Sequence, residues 1–78
     1  MKIYYDNKAD TVYIELSKKK PDGVIEISDY INLDTTQNGE IVGIELLDAS
    51  KKIQIKTLFN YEIDSNSINK GLKSTITN

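Results

Sequence analysis

Apolar and polar positions alternate almost without interruption up to residue 47, the period of two that sends successive side chains to opposite faces of a strand. Residues 2–6 form a first strand with Ile3 and Tyr5 on one side, and the polar run Asp6-Asn7-Lys8-Ala9-Asp10 makes a turn. Residues 11–17 return as the clearest strand of the chain, with Val12, Ile14 and Leu16 inward and Tyr13 and Glu15 outward. Lys18-Lys19-Lys20-Pro21-Asp22-Gly23 reads as a second loop, since Pro21 cannot donate to a strand ladder and Gly23 tolerates positive φ. Strands over 24–28 and 30–35 follow, separated only by Asp29, so the pair also reads as one long bent strand. Asn38-Gly39 between alternating hydrophobic residues is the strongest hairpin signal. Residues 40–47 then carry Val42, Ile44 and Leu46 inward. The pattern predicts a four- to five-stranded antiparallel β-meander with one apolar face.

Such a face needs a second layer. Asp48 or Ser50 is placed to cap a helix starting at Ala49, and Ile55, Leu58, Phe59 and Glu62 recur at helical spacing. The same stretch alternates as a strand through Ile53, Ile55, Thr57, Phe59, Tyr61 and Ile63. A C-terminal helix over about 50–59, packed on the apolar face, is the expectation, and the strand is its alternative. The fold class is therefore α+β. Residues 1–64 are expected to form a single compact sheet-rich domain, and 65–78 a polar C-terminal segment, either a short helix around Ile68 and Leu72 or a frayed tail.

Length sharpens this picture, because 78 residues allow one core. A chain of this size buries only about 60% of its unfolded surface, so association favours the folded state, and a homo-oligomer, a dimer first, is the expected assembly. Cysteine is absent, so neither disulfides nor thiolate zinc ligation can staple the fold. The opening Met-Lys-Ile-Tyr-Tyr-Asp turns polar within six residues, and no segment approaches the ~20 apolar residues of a membrane span. A cytoplasmic protein without membrane contact is expected. All ten basic residues are Lys and the net charge is -2, which disfavours nucleic acid as a partner. Twelve Ile, ten Lys and seven Asn, all with A/T-rich codons, tie part of the missing Arg to a low-GC genome, bacterial, archaeal or viral.

The chemical inventory is short. Without His, Cys or Arg the chain lacks the commonest general base, the thiol nucleophile and the guanidinium clamp, and its four glycines are too scattered for a phosphate loop. No catalytic residue and no cofactor are expected. The outward carboxylates Glu15, Glu26, Asp34 and Glu45 read first as the solvated face of an amphipathic sheet. Glu15 and Glu45, with Asp10 and Asp48 at strand ends, are the weak candidates for a hard-cation or small-ligand site. Asp6, Asp10 and Asp48 otherwise read as turn and cap acceptors. Tyr4, Tyr13 and Tyr30, all assigned to the face opposite the apolar one, are the candidate interaction surface, Tyr being enriched in protein interfaces. Gly43 would let a covering residue pack where a side chain would obstruct it.

Tyr5-Asp6, Ala9-Asp10, Tyr13-Ile14 with Leu16, then Gly39, Val42-Gly43-Ile44-Glu45 and Leu47-Asp48-Ala49-Ser50, resemble the small prokaryotic family known as domain of unknown function 2283. The resemblance spans roughly residues 1–53. It implies a compact sheet-containing prokaryotic domain and brings no established catalytic residue. The expected function is a non-enzymatic interaction module, a homo-oligomer or the partner of a small neighbouring gene product of toxin-antitoxin type. The alternatives are a small-ligand or divalent-metal domain using the sheet carboxylates, and a viral or mobile-element protein that blocks a host defence component.

Overall fold

The computed structural model describes residues 1–64. Five strands, β1 (Lys2–Asp6), β2 (Thr11–Glu15), β3 (Gly23–Ser28), β4 (Ile31–Thr35) and β5 (Ile41–Leu46), form one open antiparallel sheet. They are followed by a single helical turn, α1 (Ala49–Lys52), and a 3-10 turn over Ile55–Phe59. The fold is a small α+β unit, as the alternation predicted.

The strand order is β1-β2-β5-β4-β3, which corrects the simple meander. β3, β4 and β5 are joined by hairpins, and β2 returns beside β5 rather than β3, so these four strands make a Greek key with β1 added as a hairpin. Residues 16–22 carry the chain from β2 across the ends of β5 and β4. Three strand spacings of about 4.8 Å amount to roughly 14 Å, well inside the ~23 Å reach of seven extended residues. Lysine-rich and proline-bearing, this connection is suited to solvent and not to a ladder. β3 and β4 are separate strands turning back at 29–30, so the single bent strand does not form.

Register settles which residues share a face. Ile3 pairs with Ile14, Ile14 with Ile44 and Ile44 with Leu33, while Tyr5, Val12 and Leu46 form the next row on the same side. Ile31, Leu33 and Ile25 extend this apolar face to the far edge of the sheet. The opposite face carries Lys2, Tyr4, Tyr13, Glu15, Asn32, Asp34, Gly43, Glu45 and Glu26. Ile27 alternates with Glu26 and so shares the side of Ile25, and the register shift between Glu26 and Ser28 sets Ser28 opposite Ile31.

The turns follow local chemistry with two differences from expectation. Asp6 Oδ1 accepts the backbone N–H groups of Lys8 and Ala9, closing the β1–β2 turn as an Asx acceptor. In the β4–β5 turn Gly39 takes φ 86° and donates to the Thr36 carbonyl, whereas Asn38 keeps negative φ. The turn is therefore a longer loop over 36–40 and not a two-residue Asn-Gly hairpin.

The expected helix over 50–59 stops after one turn. Ile53 is extended at φ -135° and ψ 163°, and the 3-10 turn begins two residues later. Ile53, Ile55 and Thr57 are β-branched and lose side-chain freedom in a helix, which undercuts the favourable spacing of the apolar positions. The continuous strand over 53–63 does not form either. Ala49 is fully buried, and Ile53, Ile55 and Leu58 are half-buried, so the cover over the sheet is partial. Among the described residues the buried hydrophobic side chains are Val12, Val42 and Ala49 alone. The expectations for 65–78 lie outside the described residues.

Candidate functional site

Gly43 lies at the centre of the polar face, in the middle strand β5. The phenol of Tyr13, from β2, lies across it: a Cβ on Gly43 would run into the Tyr13 hydroxyl and Cζ. Unobstructed, the Tyr13 hydroxyl reaches β4 and donates to Asp34 Oδ2 at 2.9 Å. Beside it, Asn32 Nδ2 donates to Glu45 Oε1 at 3.0 Å. Partial burial, the bond to Asp34, and the nearby charges of Asp34, Glu15 and Glu45 push the Tyr13 hydroxyl up to about 12. Tyr4 packs against Tyr13 with ring centroids 6.4 Å apart, and Lys2 stands 4.9 Å over the Tyr4 ring. These residues tie β1, β2, β5 and β4 together across one surface.

At the end of the sheet a second cluster joins the two recognisable sequence stretches. Asp10 sits in the left-handed region at φ 52°, a conformation that Asp tolerates better than most residues. Its Oδ1 accepts from the Ser50 backbone N–H at 3.0 Å and from the Tyr5 hydroxyl at 3.1 Å; its Oδ2 accepts from the Ser50 hydroxyl at 2.7 Å. The Asp10 carbonyl takes the Ala49 N–H at 2.9 Å. Two of the orphan N–H groups at the start of α1 are thus satisfied from forty residues away. Asp48, the predicted cap, makes no side-chain cap bond and is itself left-handed at φ 51°. The Ser50 bonds hold the Asp10 carboxyl below the usual range, whereas partial burial and Asp10 raise Tyr5.

The candidate metal residues do not converge. Asp10 is bound to Ser50 and Tyr5, Glu45 to Asn32, and Glu15 faces Lys18 at 3.6 Å. Among the described residues no group of three or more acidic side chains is arranged to hold a metal ion. No helix of the described residues is long and apolar enough to cross a membrane.

The three tyrosines divide. Tyr4 and Tyr13 share the polar face, and Tyr4 is substantially exposed. Tyr30 departs from its assignment: it occupies the β3–β4 turn, with Lys52 Nζ 3.9 Å over its ring and its carbonyl accepting from the Leu47 N–H at 2.8 Å. It braces α1 against the sheet end.

Exposed apolar side chains also stand on the other side of the sheet. On the apolar face Tyr5 is 42% exposed, Leu16 46%, Ile25 49% and Ile27 55%. Sequence reasoning placed Leu16 inward and expected a helix on that face; the β-branched residues at 53, 55 and 57 were the signal that the helix would end at Lys52. Asp34 and Asn32 were also missed as partners, although a glycine inside an alternating strand already pointed to a close approach at 43.

Comparison with known proteins agrees with the resemblance. A family model described as Protein of unknown function (DUF2283) matches residues 2–50, the five strands and the first two residues of α1. No curated protein and no solved structure matches the chain. Both clusters fall inside the matched region, and the residues that carry the resemblance include Tyr13 with Gly43 and Asp10 with Ser50. The chain belongs to the DUF2283 family.

Proposed function

We propose that this protein is a non-enzymatic interaction module that works by laying its open apolar sheet face on another protein surface, a second copy or a small neighbouring gene product. The observation that carries the reading is the set Tyr5 on edge strand β1, Leu16 just past β2, and Ile25 and Ile27 on edge strand β3, large apolar side chains left near half-exposed around the half-buried centre of one sheet face. Contiguous apolar surface of this kind is typical of interaction sites, whereas isolated exposed hydrophobic residues are ordinary. The residue inventory supports the non-enzymatic part, since His, Cys and Arg are absent from the sequence. On the polar face Glu45, Asp34 and Glu15 are engaged with Asn32, Tyr13 and Lys18, which favours a scaffolding role for that side.

The test is a parallel purification of the tagged full chain and a Leu16→Lys, Ile27→Lys double variant from its own source cells. The wild-type chain is expected to bring down a stoichiometric protein, an untagged copy or a distinct chain, and the variant to lose it. A wild-type chain that emerges alone and monomeric at tens of micromolar would sink the reading.

A further inference from the structure

We infer that the occupant of the apolar face is a second copy of this chain, packed sheet to sheet about a two-fold axis so that Leu16, Ile25 and Ile27 of each protomer become core. The inference rests on the reading of that face as a binding surface and names its partner. Charge distribution is the first argument. The apolar face carries Ile3, Val12, Ile14, Leu33, Ile44, Leu46 and their neighbours with no Lys, Asp or Glu among them, so it meets its own copy without a like-charge penalty. The opposite face holds Glu15, Glu26, Asp34 and Glu45 against the single Lys2, and packing it on itself would oppose carboxylates.

Area gives the second argument. Five strands about 4.8 Å apart and about five residues long make a face of roughly 24 by 17 Å, or about 400 Å² in plan. Part of this face lies under Ala49, Ile53, Ile55 and Leu58, so the open remainder gives an interface below the ~800 Å² per partner of the standard size, in the range of the smaller specific contacts. Face-to-face packing of two such sheets, about 10 Å apart, is the ordinary way for open sheets to complete a core.

The third argument is the protomer's own deficit. Val12, Val42 and Ala49 are its buried hydrophobic residues among those described, too few to hold a sheet of this size by themselves. A second copy is a cover present in equal amount wherever the chain is made. Such obligate homodimers have folding and association as one event.

Light scattering on the full chain is expected to give twice 8.8 kDa. Ile25→Lys and Leu16→Lys should each weaken the dimer by at least about tenfold, because each buries a charge in an apolar interface. Val24→Lys, one residue along the same edge strand and facing the other side, should leave the mass unchanged. Should the lysine variants fail to fold, isotope-filtered NMR on a mixed-label wild-type sample decides the matter. Methyl contacts between Leu16, Ile25 and Ile27 across protomers are expected, and a dimer whose contacts run instead through Tyr4 and Tyr13, or through the β3 backbone edge, overturns the inference. A monomer that holds a different protein through Ile25 and Leu16 also overturns it while sparing the proposed function. A monomer that holds nothing overturns both.

Discussion

The Tyr13 hydroxyl reaches Asp34 Oδ2 at 2.9 Å from two strands away, across a glycine that leaves the strand between them bare. One side chain thereby spans β2, β5 and β4, the three central strands. The contact favours the observed strand order. β2 gains a specific partner surface on β5 and β4 that β3 does not offer, so the neighbour in sequence is passed over.

Gly43→Ala should destabilise the fold by about 2 kcal/mol, the usual scale for overpacking a filled position. The added methyl meets the Tyr13 ring and lies 3.0 Å from the Ile14 carbonyl. In a double-mutant cycle with Tyr13→Ala, followed by denaturant unfolding, the combined loss should fall below the sum of the single losses by ~1 kcal/mol, as for residues in contact. The Ile14 carbonyl keeps the rescue incomplete.

Stability should fall at high pH through Tyr13. The folded protein holds this hydroxyl up to about 12, above its ordinary value of 10.0, so the protonated form is favoured by folding. The contribution is complete below pH 10 and is lost as pH rises through the folded value. Ultraviolet titration of tyrosinate, paired with unfolding at each pH, should show Tyr13 ionising near 12 in the folded protein. Tyr13→Phe should remove its part of the alkaline loss and cost about 1 kcal/mol at neutral pH for the missing bond.

At the acid end the responsible group is Asp10. Its carboxyl is held below its ordinary 3.8 by the Ser50 bonds, so the stabilisation is present above that value and disappears as pH falls through the lower folded one. Amide exchange should then report release of Ala49 and Ser50 before the strands open. Asp10→Ala should release the same two amides at neutral pH, whereas Asp10→Asn, which tolerates positive φ and retains an acceptor, should hold them partly.

Asp48 offers the opposite case. Its φ of 51° carries the strain of a left-handed residue, and its carboxylate makes no cap bond in return. Asp48→Gly should raise the unfolding free energy by roughly 0.5–1 kcal/mol, measured by thermal or denaturant unfolding.

These relationships also mark what could be read beforehand. The five strands and their faces were legible because alternation is a local property: Ile14 and Ile44 face one way and Tyr13 and Glu45 the other, as the pattern required. Asp6 was legible as a turn acceptor for the same reason, its partners Lys8 and Ala9 being adjacent. The pairing of β2 with β5 was not, since it depends on Tyr13, Gly43 and Asp34 meeting from three separate strands. Nor was the role of Asp10, whose partner Ser50 lies forty positions on. The helix was overextended because apolar spacing at 55, 58 and 59 is compatible with a helix, while the cost of β-branching at 53, 55 and 57 appears only when backbone conformations compete.

The Greek-key connection sets the order in which the chain can complete itself. The β1–β2 hairpin is finished by residue 15, but the inner edge of β2 has no partner until β5 is made at residues 41–46. During synthesis at about 5–20 residues per second the hairpin therefore waits some two to six seconds with one edge of β2 unpaired. Closing that gap joins residues 28 to 34 positions apart, which places this small domain among the slower folders for its length.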